Sequence, residues 1–294
     1  MELICVKHEK ALSSGTSDTA LPWNTPMYRI GDYAKYLGVT PDFLKHYEQF
    51  RFVSSETKEN GYRYYPFGQS YKILECMRLR NYGMSLRDID VALVDDDPDT
   101  LMEKLDARVC AIEQQIRFEQ AIVQEHRQMR EWYAQMKDKD EDWFVAQSEE
   151  MLFLPHTSRR NFLKDSRIYD ILGDWLALMP LVKSCMRVPM PADFASPLED
   201  YAWGLLVPAS VAEAFSLPLN DAVLRLPPRK TFFYHFSGKT WPQLNPQDLL
   251  HSGVYKKLSE LGLSPADNLY MTMYMYTHIN SDSLRFGYYA VPIA

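Results

Sequence analysis

The apolar positions of this chain follow a helical period in its first half and shift to strand-like runs in its second. Ile30, Tyr33, Ala34 and Leu37 recur at i, i+3, i+4 and i+7, one face of a helix. Gly38 suits the end of that helix, because glycine enters the left-handed region without strain. Thr40-Pro41 suits the start of another: a hydroxyl to cap the first free N–H groups, then a proline already at helical φ. Phe43, Leu44 and Tyr47 give this second helix its apolar stripe. Asn60-Gly61 predicts a hairpin, since both residue types tolerate positive φ, with strands at 53–55 and 62–65. A helix is predicted over 67–82 and stops at Gly83; Ser85 caps another that runs to Leu93. Asp95-Asp96-Asp97-Pro98 is an acidic break.

The span 99–136 contains no Pro or Gly and reads as one long helix. Leu101, Leu105, Val109, Ile112, Ile116 and Val123 form a seam close to a heptad. A helix of that length with one apolar stripe requires a partner, and a second copy of itself is the simplest. After the charged stretch 137–142 the pattern changes. Strands are predicted within 143–154 and over 182–188, 201–207, 222–226, 231–236, 270–278 and 284–291. Helices are predicted over 166–179 and from Asn245-Pro246 to Leu261. Strand, helix, strand, strand thus occurs roughly twice, which predicts a duplicated β-α-β-β unit with two helices over one sheet face. The expected fold class is multidomain α+β. The expected division is 1–26 as a flexible extension, 27–97 as a winged helix-turn-helix, 98–137 as a coiled-coil dimerisation helix and 138–294 as the duplicated domain.

Charge sharpens this division. The whole chain carries −7, yet residues 27–87 hold 10 Lys+Arg against 6 Asp+Glu and are basic. That excludes a protein coated in nucleic acid but leaves room for a local contact. Cys5, Cys76, Cys110 and Cys185 are scattered without a CxxC spacing, which predicts reduced thiols, a cytoplasmic compartment and no cysteine-held metal. No apolar run reaches the roughly 18 residues a membrane helix needs. The apolar cluster Leu3-Ile4-Cys5-Val6 is too short for a signal-peptide core. No GxSxG, HExxH or phosphate loop is present, and no spacing joins Cys185, His156, His235, His251 or His278 into a nucleophile and base. No catalytic residue, cofactor or metal is expected.

Two short helices split by a glycine turn make a helix-turn-helix whose second helix enters the major groove of DNA; the hairpin is its wing. Arg29, Lys45, His46, Tyr47, Arg51, Arg63 and Tyr64 are the expected DNA-facing residues, with Arg63 able to bring its guanidinium to a phosphate. Tyr28-Arg29-Ile30-Gly31, Gly38-Val39-Thr40, Leu44-Lys45-His46-Tyr47-Glu48, Asn60-Gly61-Tyr62-Arg63-Tyr64-Tyr65 and the run from Leu79 to Ile89 resemble the MerR family of transcription regulators. The resemblance implies antiparallel pairing of the long helices into a homodimer and a promoter with an over-long spacer. It also implies RNA polymerase as partner and activation by distorting the DNA. The chain departs from the family pattern at Lys45-His46, where arginine-tyrosine is usual; the charge remains but the fork of arginine is gone.

The second half is rich in rings that suit planar or cationic ligands. Trp175, Tyr201, Trp203, Tyr234, Tyr270, Tyr274, Tyr276 and Tyr288 are the expected ligand-binding residues. Strict alternation along 270–276 sets tyrosines and Thr272 on one face and methionines on the other. Glu149 and Glu150 are the candidate acids for a cationic ligand. Tyr201-Ala202-Trp203-Gly204, the stretch from Leu226 to Gly238 and the terminal Tyr288-Tyr289-Ala290-Val291-Pro292-Ile293 are similar to the GyrI-like effector-binding domain. That similarity implies a lipophilic, drug-like effector. It also implies a buried glutamate near the end of the last strand, where this chain has Tyr288. A protein-interaction module or a weak hydrolase are the alternative readings of this half.

Overall fold

The computed structural model describes residues 26–139, 141–159, 161–190, 201–238, 253–279 and 282–294. The expected extension at 1–25 and the helix start at Asn245-Pro246 lie outside the described residues. The chain forms two compact units, one ending at Gln114 and the other beginning at Gln115.

In the first unit, β1 (Met27–Arg29) leads into α1 (Ile30–Leu37), and α2 (Pro41–Tyr47) follows one turn later. The local signals act as physics requires. Gly38 sits at φ 68° and its N–H reaches back to Lys35 O, while Thr40 Oγ1 accepts the Phe43 N–H at 3.1 Å. The wing is β2 (Glu56–Thr57) and β3 (Arg63–Pro66). The expected first strand at 53–55 does not form. Val53 is drawn into the core, and the Ser54 N–H and hydroxyl are both held by the Gln69 amide, so pairing begins only at Glu56. Only Gly61 of the turn pair adopts positive φ, and the loop between Thr57 and Arg63 is longer than a two-residue turn. Sequence reading also missed β1, which pairs with β3 through Tyr28 and Tyr65.

A single 3-10 turn (Phe67–Gln69) precedes α3 (Ser70–Asn81), and Ser85 caps α4 (Leu86–Val94) by accepting the Asp88 N–H. Leu44, Phe52, Tyr65, Ile73, Leu79 and Ile89 are almost wholly buried and weld these pieces into one core. Each aspartate of the acidic break has a task. Asp95 binds Arg51, Asp96 binds Lys104, and Asp97 accepts the Thr100 N–H to cap α5 (Pro98–Met136).

The second unit is built on an eight-stranded antiparallel sheet among the described residues. In chain order its parts are β4 (Glu141–Gln147), β5 (Met151–Pro155), the small ribbon β6 (Thr157–Ser158) and β7 (Asn161–Phe162), α6 (Ser166–Ala177), β8 (Lys183–Val188), β9 (Ala202–Pro208), α7 (Ala209–Ala214), β10 (Leu224–Leu226), β11 (Lys230–Gly238), α8 (Gly253–Glu260), β12 (Leu269–Ile279) and β13 (Asp282–Pro292). The sheet order is β10-β5-β9-β8-β12-β13-β11-β4. It is two copies of β-α-β-β meeting at β8 and β12, as the duplicated pattern predicted. The strand that precedes each copy crosses to the far edge of the other: β4, before β5, pairs with β11, and β10, before β11, pairs with β5. This exchange covers an edge strand of each half.

Both helices lie on one sheet face. Leu152, Val182, Leu205 and Val207 pack beneath α6, while Phe232, Tyr234, Met271 and Val291 pack with Val254 and Leu258 of α8. Residues of opposite parity, including Phe153, Cys185, Leu206 and Tyr270, face the other way.

Candidate functional site

In the first unit α2 and the wing carry exposed basic side chains. Lys45 and His46 are exposed on α2; Lys45 Nζ lies 2.9 Å from Asp42, and His46 packs edge-on against Tyr47 and Phe50. Arg29 points into the wing, where its Nε donates to Tyr64 Oη at 3.1 Å and its guanidinium lies 4.6 Å over the Tyr62 ring. Asn60 Nδ2 also donates to Tyr64, and Lys58 Nζ sits 4.6 Å over the Tyr64 ring. These donors hold the Tyr64 phenol below its ordinary pKa, Arg29 foremost. Arg63 Nη1 donates to Glu48 Oε2 at 2.8 Å. Arg29, Lys58, Tyr62 and Tyr64 thus form one polar cluster on the wing, Arg63 ties the wing to α2 through Glu48, and Lys45 and His46 stand exposed on α2.

Two expected members stand apart from it. Tyr47 is buried in the core, stacked on Phe43 at 3.9 Å, and burial pushes its phenol up to about 12. Arg51 is committed internally. Its N–H and Nε bind the Asp90 carboxylate and its two terminal nitrogens bind Asp95 at 3.0 and 2.6 Å, which holds the guanidinium charged far above its usual range. The clamp fixes the chain leaving α2 against α4 and leaves Arg51 no free edge of its fork.

In the second unit the sheet face opposite α6 and α8 lines a cavity of about 640 Å³. Register explains its floor. Phe144, Phe233, Ala290 and Tyr270 lie in one row across β4, β11, β13 and β12; His235, Tyr288, Thr272 and Cys185 lie in the next. Tyr274 stands beside Tyr288, ring centroids 5.1 Å apart, and burial pushes its phenol up to about 12. Burial raises Tyr288 further and lowers His235.

Of the rings expected at a ligand, Tyr270, Tyr274 and Tyr288 line this cavity. Tyr201, Trp203 and Tyr234 belong to the core under α8, on the opposite face, because their strand parity is the other one. Trp175 is wholly buried on α6, its indole N–H donating to Pro218 O. Tyr276 is displaced by a β-bulge. Pairing shifts between Met273 and Met275, so the alternation slips by one and Tyr276 leaves the cavity row for an exposed position under Arg285. Glu149 lines the cavity, while Glu150 pairs with Arg225.

Sequence reading missed the wall that the later part of α5 supplies. Glu125 and Gln128 line the cavity. Trp132 packs against Tyr274, His235 and Phe286, and its indole N–H donates to His235 Nδ1. Glu125 Oε1 is 2.8 Å from Lys183 Nζ, which in turn sits 4.8 Å over the Tyr274 ring. A second cavity of about 460 Å³ is lined in part by the same Glu125, Lys183 and Tyr274, with Ile122, Met129 and Met179. The signal was the pair Trp132-Tyr133 at the end of a helix read only as a dimerisation helix.

Cys185 is fully buried and its thiol is pushed up to about 12, so it stays protonated at neutral pH. Among the described residues no group of three His, Cys, Asp or Glu could hold a metal, and no helix is long and apolar enough to cross a membrane.

Residues 28–94 match the family described as MerR HTH family regulatory protein. The HTH-type transcriptional regulator ZntR of Escherichia coli (strain K12) is 36% identical over 64 residues, 21% of this chain and 45% of that protein. The chain thus spans just under half the length of the curated relatives it matches. Among solved structures, the EcmrR chain of an EcmrR–DNA complex is 14% identical, with 90% of this chain and 99% of that one covered and a TM-score of 0.37. A hydrolase from Listeria innocua covers 55% of this chain and 98% of its own, at 8% identity and a TM-score of 0.32. At that level neither likeness bears on function.

Proposed function

Starting from a chain whose residues 28–94 form a MerR-type DNA-binding domain of a transcription regulator, we propose that the protein binds a near-palindromic promoter as a homodimer and alters the geometry of that DNA when an aromatic or lipophilic small molecule enters the cavity of its second unit. The reading is carried by one observation: α5 bears both an exposed apolar row and the cavity-lining Glu125 and Gln128. Val109, Ile112, Ile116 and Val123 are 39, 38, 47 and 49% exposed in the single chain, at the spacing of a helix-to-helix seam. A ligand that favours one position of this helix would bias the separation of two reading heads by its difference in affinity for the two states. Bending a promoter costs ~1–6 kcal/mol, so that difference must be of the same order.

On the DNA side the proposed contacts are Arg29, Lys45, His46, Arg63 and Tyr64, with Lys58 and Tyr62 added from the wing; Tyr47 and Arg51 support them from behind. RNA polymerase is the proposed partner at the promoter, the cytoplasm the proposed compartment, and catalysis forms no part of the reading. Selection of duplexes from a random library with the full chain tests it, followed by titration of the enriched duplex with and without the neutral dye Nile red. The expected result is a site with two inverted half-sites, and saturable dye binding that changes the affinity or bend of the complex. An enriched single half-site, or dye binding without effect on the DNA complex, overturns the reading.

A further inference from the structure

A cation is recognised in proteins by a carboxylate, by the face of an aromatic ring, or by both together. The cavity of the second unit has such a place, and the protein itself fills it. Lys183 Nζ lies 2.8 Å from Glu125 Oε1 and 4.8 Å over Tyr274. The two charged side chains are only 23 and 19% exposed, so the pair is not a loose surface contact. Resting on the small-molecule reading above, we propose that Lys183 is the specificity-determining residue of the cavity: a tethered cation that occupies the subsite a ligand cation would take, so that the cavity admits neutral or anionic aromatic molecules.

An entering ammonium would have to displace Lys183 from its carboxylate and its ring at once, and would leave that lysine facing a second cation. Tyr274 offers no negative charge, since burial pushes its phenol up to about 12. The wall's other charged groups are Glu149, whose Oε2 has Ser210 Oγ at 3.5 Å, and Arg229, whose Nη1 lies 3.3 Å from Asp267, so a second lining cation also stands against an ammonium. An anion meets the opposite situation. The lysine stem is flexible and its ammonium has three donors, so it can keep Glu125 and accept a ligand carboxylate beside it. Planar rings then stack on Phe144, Phe233 and Tyr270 whatever the charge of their substituent.

Calorimetric titration of the full chain with 2-naphthamide, 2-naphthoate and 2-naphthylmethylammonium at pH 7.5 decides it. The amide and the carboxylate bind saturably, and the ammonium binds at least tenfold more weakly. Lys183→Met reverses the order of the charged pair, and Glu125→Gln, which frees the lysine charge, tightens naphthoate. Should Lys183→Met not fold, Lys183→Gln carries the same comparison, since it keeps a hydrogen bond to Glu125 without charge. An ammonium that binds the wild type as well as the amide, or a ranking unmoved by loss of Lys183, overturns the assignment and leaves the cavity a ligand site. No binding of any of the three to wild type or variants overturns the ligand-site reading, and the assignment falls with it.

Discussion

Glu48, at the end of α2, joins the recognition helix to the wing: its Oε2 accepts from Arg63 Nη1 at 2.8 Å and its Oε1 accepts from the Tyr65 hydroxyl at 2.6 Å. The two bonds differ in weight. Arg63 is 46% exposed, and a pair so exposed contributes less than about 1 kcal/mol. The Tyr65 ring is fully buried in the core, and a buried hydroxyl left unpaired costs about 1–3 kcal/mol. Glu48→Ala is therefore expected to lower unfolding free energy by about 1–3 kcal/mol, almost all through Tyr65. In a urea-melt double-mutant cycle, Tyr65→Phe should add little further loss in the Glu48→Ala background. Additive losses would show that the hydroxyl is satisfied elsewhere.

Arg63 and Arg51 should separate in the salt dependence of DNA binding. In the proposed complex Arg63 turns from Glu48 to a phosphate, so Arg63→Ala should make the slope of log K against log salt shallower by about 1. Arg51 is held on both sides of its fork by Asp90 and Asp95. Arg51→Ala should leave the slope unchanged while weakening the anchor between α2 and α4. Fluorescence-anisotropy titrations across a salt series on one duplex read both; a slope change for Arg51→Ala would return it to the DNA surface.

Local signals were legible in the sequence wherever a single residue decides the geometry. Gly38 at positive φ and Thr40 and Ser85 as caps act within three or four residues of their own position. The duplicated β-α-β-β order was legible for the same reason. Side-chain faces were not. Phe233 and Tyr234 are neighbours of equal chemistry, and only the register with β13 and β4 sends the first to the cavity and the second to the core. Tyr276 was misread because a bulge leaves no mark in the alternation itself. The role of α5 was half legible: its apolar row repeats, but Glu125 and Trp132 acquire partners about 60 and 100 positions away, which periodicity cannot reveal.

Gly287 fixes that bulge. A Cβ there would lie 2.3 Å from Thr272 O and 2.8 Å from the Phe236 ring, so the backbone of β12 could not keep its approach. Overpacking of this kind costs about 1–3 kcal/mol. Gly287→Ala is expected to lower the melting temperature and, by moving β12 beside Tyr274, to weaken Nile red binding as well. A melting curve and a dye titration unchanged from wild type would mean the bulge yields at no cost.

Stability should fall in mild acid through His235. Burial lowers its pKa, the Asp142 charge opposing in part, and Trp132 donates to its Nδ1, so the folded protein holds the ring neutral. The unfolded chain takes up the proton near pH 6.5, before the folded one does. The stabilising difference is thus complete above about pH 6.5 and is lost as pH falls through the lower folded value. Half-buried His156, also lowered by burial, adds in the same direction. Urea melts at pH 7.5 and 5.0 should show the loss, and His235→Gln should shrink it. Trp132→Phe should shrink it only slightly, because burial is the larger cause. An equal loss in His235→Gln would move the effect to other groups.

The apolar row of α5 makes the strongest demand on solution behaviour. Ile112 and Ile116 stand in the middle of it, more than a third exposed in the single chain. In a two-fold dimer each substitution acts twice, once in each copy. Each of these side chains is already more than half covered in the single chain, so replacing both by Lys withdraws about 1 kcal/mol per side chain, on the order of 4 kcal/mol over the four in a dimer. That weakens association by about three powers of ten. Sedimentation equilibrium should report a dimer for the wild type and a monomer for Ile112→Lys/Ile116→Lys, with far-ultraviolet circular dichroism still showing a folded chain. The monomer should bind an isolated half-site with about half the salt slope of the dimer on a full site, because half the phosphate contacts remain. A wild-type monomer, or a double variant that still pairs, would remove the seam from this helix.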